Sequence, residues 1–136
     1  MKEKIDSVCI IDDDIIYQFL AKEEIEYTNM VDKIMFFSNG DKAIQFLTQT
    51  LDNNDPALLP VLIFLDINML VMDGWEFLEA YAMLKPRLGK KITIYVVSSS
   101  TDIRDYDRAK TISEVSDYII KPVSGSQLQK IFSLFV

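Results

Sequence analysis

The sequence predicts a doubly wound α/β domain built on a five-stranded parallel sheet. Five short apolar runs alternate with segments whose apolar residues recur at helical spacing, without a linker or a repeated motif. The run Val61–Leu65 (VLIFL) is continuously apolar, which is typical of a central strand buried on both faces. Right-handed crossovers bring the carboxyl ends of parallel strands to one edge, so the polar residues that follow the runs are the functional candidates.

The first predicted strand, Ser7–Ile11, leads into three adjacent acids, Asp12, Asp13 and Asp14. Helically spaced apolar residues follow and predict a helix from about Asp14 to Tyr27; they are Ile15, Ile16, Phe19, Leu20 and Ile25. An acid in the first turn complements the helix dipole, which gives Asp14 a structural role. That role does not explain all three acids, because adjacent carboxylates repel one another unless a cation is near.

The second unit pairs a strand at Lys33–Phe37 with a helix marked by Ile44, Leu47 and Leu51. The central strand then runs directly into Asp66. Its helix begins at Trp75 and stops before Pro86 and Gly89; its apolar positions are Phe77, Leu78, Tyr81 and Leu84. We interpret Trp75 as a packing residue beside the loop.

The fourth strand, Ile92–Val97, runs into a hydroxyl cluster from Ser98 to Thr101. Capping of the next helix, about Asp102 to Ile112, would explain Ser100 or Thr101, so Ser98 is the functional candidate. That helix carries Ile103, Tyr106 and Ala109 on one face. The fifth strand, Asp117–Ile120, ends in Lys121 and Pro122, and a last helix follows with Leu128, Ile131, Phe132 and Phe135 on one face.

Composition excludes several kinds of chemistry. The 136 residues fit one domain, and a net charge of −7 disfavours nucleic acid as a partner. There is no histidine, and the single cysteine, Cys9, lies in an apolar strand where a buried, inert thiol is expected. No signal peptide or membrane-spanning run is present, so we expect a cytoplasmic protein without membrane insertion. Carboxylates, hydroxyls, lysine and a hard metal remain as the available chemistry.

Five sequence motifs together resemble the receiver domain of two-component response regulators. They are IIDDD (Ile10–Asp14), FLDINM (Phe64–Met69), MDGWEFL (Met72–Leu78), VVSSS (Val96–Ser100) and YIIKP (Tyr118–Pro122). The resemblance covers essentially the whole chain and implies a flavodoxin-like fold with strand order 2-1-3-4-5. It further implies that residues 1–136 form a single receiver domain with no output domain.

The resemblance implies a role for each matching residue. Asp66 matches the phosphorylated aspartate. The metal site would hold Mg²⁺, or Mn²⁺, through Asp12, Asp13, Asp66 and the backbone carbonyl of Asn68. Ser98 and Lys121 match the residues that bind the phosphoryl group, and Ser98 with Tyr118 matches the switch pair, although Tyr118 is equally explained as a half-buried strand aromatic. The family usually has a cis bond before Pro122, which an X-Pro bond allows.

The family also implies a function as a phosphoacceptor with at most self-catalysed phosphorylation and dephosphorylation. The donor would be a histidine kinase or a histidine phosphotransfer protein, because this chain has no histidine. Output would be phosphorylation-dependent binding of an unnamed downstream protein, or a phosphorelay, at a face formed by the fourth helix, the fifth strand and the fifth helix. A weak homodimer is compatible with this scheme.

Two alternatives stay open. One is a pseudo-receiver that binds partners without phosphorylation, although all five expected site residues are present. The other is a haloacid-dehalogenase-like phosphatase that would use Asp12 as nucleophile, Asp14 as acid, Ser38 as phosphate ligand and Lys121 as cation. The chain shows neither the later acidic pair nor the cap that such a phosphatase has.

One departure from the family concerns the loop after Asp66. Leu70 stands where the family usually has proline, which predicts a less rigid and more apolar loop.

Overall fold

The computed structural model describes residues 4–136 and contains one parallel sheet with strand order β2-β1-β3-β4-β5. The strands are β1 (Ile5–Ile11), β2 (Val31–Phe37), β3 (Leu62–Leu65), β4 (Thr93–Ser98) and β5 (Val115–Ile120). The helices are α1 (Ile15–Thr28), α2 (Gly40–Asp52), α3 (Gly74–Leu84), α4 (Ile103–Lys110) and α5 (Gly125–Ser133), with 3-10 turns at Pro56–Leu58 and Lys85–Arg87. The fold class and the strand order are confirmed.

The central position of β3 is confirmed as well. All four of its residues are buried, with β1 on one side and β4 on the other. Ile63 and Leu65 face a core shared with α2 and α3, whereas Leu62 and Phe64 face a core shared with α1 and α5. A strand covered on both faces in this way has no solvent-facing positions, which explains its uninterrupted apolar run.

Three strands begin earlier than the apolar runs predict. β1 starts at Ile5, which pairs with Val31, the first residue of β2, and β5 starts at Val115, which pairs with Ile94. Strand ends follow backbone pairing, so exposed polar residues such as Asp6 and Ser116 are included.

Four of the five apolar residues that predicted α1 do not pack on the sheet. Ile15, Ile16, Phe19 and Leu20 are 76, 69, 61 and 55% exposed, and the helix is buried mainly at Ile25. Tyr17 and Ala21 pack against the core instead. The spacing predicted the helix correctly but not which of its sides packs against the core, because Tyr17 was not counted among the apolar residues.

A similar correction applies to α4. Ile103 and Tyr106 are exposed, and Ala109 is its buried residue. The cap is also different from the one expected, since the Asp102 carboxylate accepts from the Arg104 N–H, while Ser100 and Thr101 lie before the cap. Ser100 nevertheless supports this turn, because its hydroxyl accepts from the Asp102 N–H and donates to Asp105.

Several smaller expectations are met. Cys9 is buried, and burial raises the pKa of its thiol, as expected of an inert cysteine. Trp75 packs against both the α2–α3 core and the residues around Ala109, with the Arg108 guanidinium 4.3 Å from its ring centre. The Lys121–Pro122 bond is cis.

Among residues 4–136, no helix combines the length and apolar composition that a membrane crossing requires.

Candidate functional site

Three carboxylates meet at the carboxyl edge of the sheet. The register pairs Ile11 with Leu65, and the Asp66 N–H donates to the Ile11 carbonyl, so the residues that follow β1 and β3 lie side by side. Carboxylate oxygens of Asp12, Asp13 and Asp66 all lie within 4.8 Å of one another. Oxygen donors at this spacing suit a hard cation such as Mg²⁺.

The cluster is buried at its base and open at one side. Asp12 and Asp66 are 2 and 6% exposed, whereas Asp13 is exposed. A metal ion or a phosphoryl group can therefore approach from the side of Asp13.

Lys121 brings a positive charge to this cluster from β5. Its Nζ atom lies 2.7 Å from Asp12 Oδ2 and 3.4 Å from Asp66 Oδ2. The Lys121 N–H donates to the Ser98 carbonyl, which ties the residue after β5 to the end of β4. The structure thus brings together residues from four strand ends, as the sequence predicted from topology.

The environment of Asp66 changes its acidity. Burial raises the pKa of the Asp66 carboxyl, and the nearby Asp12 charge adds to this effect. The Asn68 N–H, which donates to Asp66 Oδ1 at 3.1 Å, and the Lys121 ammonium oppose it without cancelling it. Concentrated negative charge is therefore costly here until a cation compensates it.

Ser98 lies at the end of β4 and is fully buried. Its Oγ atom accepts from the Ser100 N–H at 3.1 Å and lies 3.5 Å from the Asn68 side-chain amide, which donates to it. Asn68 thus connects Asp66 to Ser98, because its backbone N–H donates to Asp66 and its side-chain amide donates to Ser98. The backbone carbonyl of Asn68 as a metal ligand stays a prediction.

Tyr118 is buried, whereas the alternative to a switch role expected a half-buried strand aromatic. Its hydroxyl donates to the Ser100 carbonyl at 2.8 Å, and its ring meets Tyr106 edge-on. Because the Ser100 N–H donates to Ser98, one residue, Ser100, links the two switch candidates.

The Asp14 carboxylate is separate from the cluster, although the Asp14 N–H donates to Asp12 Oδ1 at 2.9 Å. The Asp14 side chain caps α1 by accepting from the Ile16 and Tyr17 N–H groups at 3.0 and 3.3 Å. This confirms the helix-start role predicted for it. It also removes Asp14 from the position that the phosphatase alternative requires, since its carboxylate faces the helix backbone.

Two of the contacts that sequence reasoning missed at the site involve Leu70 and Tyr17. The Leu70 N–H donates to Asp13 Oδ2 at 3.3 Å, although the Leu70 side chain is 97% exposed. A proline at this position has no N–H, so the departure from the family pattern adds a hydrogen bond to the acid cluster. The sequence carried no signal for it, because a backbone donor is not visible in residue type.

The second missed contact is that of Tyr17 with Lys121. The Lys121 Nζ atom lies 4.1 Å from the centre of the Tyr17 ring. Burial, together with the charges of Asp12 and Asp66, raises the pKa of the Tyr17 phenol to about 12, so the phenol is neutral at pH 7. An aromatic residue one turn after an acid pair is the only hint that the sequence gives.

Gly74, which follows Asp73 at the start of α3, lies too close to the backbone after β3 for any side chain. A Cβ atom at this position would lie 2.6 Å from the Asp66 carbonyl oxygen and 2.6 Å from the Ile67 Cα atom. Only glycine permits this approach, which packs the start of α3 directly against the backbone of the phosphoacceptor candidate.

Comparison with known protein families shows which family this chain belongs to. The model of the response regulator receiver domain matches residues 8–133. The chain belongs to the receiver domain family. Receiver domains are phosphoacceptor signalling domains that bind Mg²⁺ at an acidic pocket, and Asp12, Asp13 and Asp66 form such a pocket here.

Solved receiver structures resemble this one over nearly the whole chain. A two-component response regulator from Cytophaga hutchinsonii is 32% identical, with a TM-score of 0.85 and 96% coverage of both chains. The phosphorylated cyanobacterial phytochrome response regulator RcpA is 26% identical, with a TM-score of 0.72 and coverage of 96% of this chain and 91% of that one. The chemotaxis protein CheY4 of Vibrio cholerae, at 18% identity, a TM-score of 0.74 and coverage of 97 and 99%, shares the fold. A comparison with curated protein sequences found no match.

Proposed function

We propose that this receiver domain accepts a phosphoryl group on Asp66 from the phosphohistidine of a kinase or a phosphotransfer protein. The observation that carries the proposal is the convergence of three carboxylates and the Lys121 ammonium at one edge of the sheet. Mg²⁺ is the cation that suits this donor set, with Asp12, Asp13, Asp66 and the Asn68 carbonyl as its protein ligands. When bound, it offsets the negative charge of the carboxylates and of the incoming phosphoryl oxygens.

The chemistry requires little more than positioning. An Asp66 carboxylate oxygen attacks phosphorus, the bond between phosphorus and the histidine nitrogen of the donor breaks, and an acyl phosphate forms. Lys121 and the Ser98 hydroxyl donate hydrogen bonds to the transferred oxygens. Asp66 is held ready for attack because the Asn68 N–H fixes one of its oxygens.

The signal would pass from Ser98 to Tyr118 through Ser100. A phosphoryl group adds about −1.5 to −2 charges and strong acceptor oxygens, which draw the Ser98 hydroxyl towards Asp66. The Ser98–Ser100 and Ser100–Tyr118 hydrogen bonds then change together. This shifts a two-state equilibrium at the face of α4, β5 and α5, where Ile103, Tyr106 and Ile120 are exposed for a downstream protein.

The exposed side of α1 supports a protein as the phosphodonor. Ile15, Ile16, Phe19 and Leu20 form an apolar strip that begins three residues after Asp12, and the exposed Leu70 is joined to Asp13 through its N–H. An apolar surface beside the open side of the acid cluster is typical of a protein-binding site. We propose that the histidine-bearing protein binds this strip.

The experiment that tests the proposal is intact-mass analysis after incubation with acetyl phosphate and Mg²⁺. One added phosphoryl group is expected for the wild type, and none for Asp66→Asn or for wild type in EDTA. Asp32→Asn, at an exposed position on β2, is the matched control and should be labelled like the wild type. An unlabelled wild type would favour the pseudo-receiver, whereas steady hydrolysis of a phosphate ester that is lost in Asp12→Asn but kept in Asp66→Asn would favour the phosphatase.

A further inference from the structure

We propose that Tyr17 is a positioning residue for Lys121: its ring holds the lysine ammonium beside Asp66 during phosphoryl transfer. The inference rests on the proposed function of Asp66 and Lys121, and it adds a residue from α1 that the sequence motifs did not include.

The contact is defined by three distances around one atom. Lys121 Nζ lies 2.7 Å from Asp12 Oδ2, 3.4 Å from Asp66 Oδ2 and 4.1 Å from the Tyr17 ring centre. An ammonium on the face of a phenol ring is attracted by the ring quadrupole, and more strongly where water is excluded. Asp12 follows β1, Asp66 follows β3 and Tyr17 lies on α1, so three separate parts of the chain hold the ammonium.

Tyr17 is itself fixed from two sides. Its N–H donates to Asp14, the residue that caps α1, so the third acid of the sequence sets the helical turn that carries the ring. The ring also packs against the core and lines an apolar cavity of about 310 Å³ between α1 and α5, together with Phe64, Pro122 and Leu128. Truncation of Tyr17 would therefore join this cavity to the space beside Lys121.

The ring suits this role because it does not compete with the reacting groups. Asp12 and Asp66 are both proposed metal ligands, and a lysine held only by them would lose its partners when they bind the cation. A lysine side chain is a flexible point charge with much rotamer freedom to lose. The Tyr17 ring gives Lys121 a partner that stays in place throughout, so the ammonium remains within reach of the phosphoryl oxygens.

The test compares initial rates of phosphorylation by acetyl phosphate in saturating Mg²⁺. Tyr17→Leu and Tyr17→Met, which remove the ring, should slow labelling by about 2- to 30-fold, whereas Tyr17→Phe, which keeps it, should remain within about twofold of the wild type. Tyr27→Leu is the matched control on the same helix, since Tyr27 is 87% exposed. Urea denaturation of each variant checks that it is folded. If either Tyr17→Leu or Tyr17→Met fails to fold, the other still tests the inference.

A double-mutant cycle separates positioning from a general effect on the fold. Adding Tyr17→Leu to Lys121→Met should cause no further loss, because the ring has no ammonium left to hold. Equal slowing in the presence and absence of Lys121, or slowing by Tyr17→Phe as large as by Tyr17→Leu, would overturn the inference. A labelled wild type with an unaffected Tyr17→Leu would overturn this inference alone, whereas an unlabelled wild type would overturn the phosphoacceptor proposal and this inference with it.

Discussion

Lys121 forms its shorter ion pair with Asp12 and not with Asp66. The Nζ atom lies 2.7 Å from Asp12 Oδ2, against 3.4 Å for Asp66 Oδ2, and the Asp12 side chain is 2% exposed. A buried acid that a lysine already neutralises is also the acid proposed to bind the metal. Lysine and metal should therefore compete for Asp12.

This competition predicts the effect of Lys121→Met on metal binding. Removing the ammonium frees Asp12 and removes a repulsive charge, so Mg²⁺ should bind at least about fivefold more tightly, which corresponds to about 1 kcal/mol. Isothermal titration calorimetry measures the dissociation constant. Lys110→Met, which removes a surface lysine paired with Asp117, should leave it unchanged. Unchanged or weaker binding by Lys121→Met would contradict the competition.

The adjacent acids Asp13 and Asp14 should respond differently to the same substitution. Asp13→Ala removes a carboxylate from the cluster, so Mg²⁺ binding should weaken about tenfold or more. Asp14→Ala removes the cap of α1, so the free energy of unfolding should fall by about 1 kcal/mol while Mg²⁺ affinity stays within about twofold. Calorimetry and urea denaturation measure the two effects, and similar losses of Mg²⁺ affinity in both variants would contradict the assignment.

The Leu70 N–H should matter more than its side chain. Leu70→Pro removes the donor to Asp13 Oδ2 and should weaken Mg²⁺ binding by about two- to tenfold, because an ordinary hydrogen bond contributes about 0.5–1.5 kcal/mol. Leu70→Ala keeps the N–H and should bind Mg²⁺ like the wild type. Fluorescence of Trp75, the single tryptophan, offers a second readout. Equal behaviour of the two variants would mean that this bond does not hold Asp13 in place.

The raised pKa of Asp66 predicts a pH-dependent stability in EDTA. An acid whose pKa rises on folding holds its proton more tightly in the folded state. The charged acid therefore destabilises the folded protein fully above the raised pKa, and this destabilisation is absent below the ordinary pKa of 3.8. Asp66→Asn should thus stabilise the metal-free protein at pH 7 and much less near pH 3. Urea denaturation across this range measures the difference, with Asp32→Asn as the exposed control. A stabilisation that is equal at both pH values would argue against a charge effect.

The two sides of α1 should differ in their contribution to stability. Phe19→Ser, on the exposed strip, should change the free energy of unfolding by less than about 0.5 kcal/mol. Ile25→Ala, in the core, should lower it by about 2–5 kcal/mol. Thermal and urea denaturation would show which side packs, and a large loss for Phe19→Ser would mean that the strip is covered in the folded protein.

The sequence by itself predicted the fold and the members of the acid cluster. Val61–Leu65 lacks polar positions because both faces of the central strand are covered, and Asp12, Asp66, Ser98 and Lys121 follow strands whose ends must share one edge. Both inferences depend on rules that hold for any parallel sheet, so residue type and order were sufficient. The helix-start role of Asp14 was also predictable, because a cap is a local interaction.

The tertiary structure decided the contacts that no local pattern encodes. Which side of α1 faces the sheet depends on how the helix packs, and both sides of this helix carry apolar residues. The ion pair of Lys121 with Asp12, the ring of Tyr17 against Lys121 and the Leu70 N–H on Asp13 join groups from different elements. These contacts are set by distances of a few ångströms between separately placed backbones, which spacing along the chain does not specify.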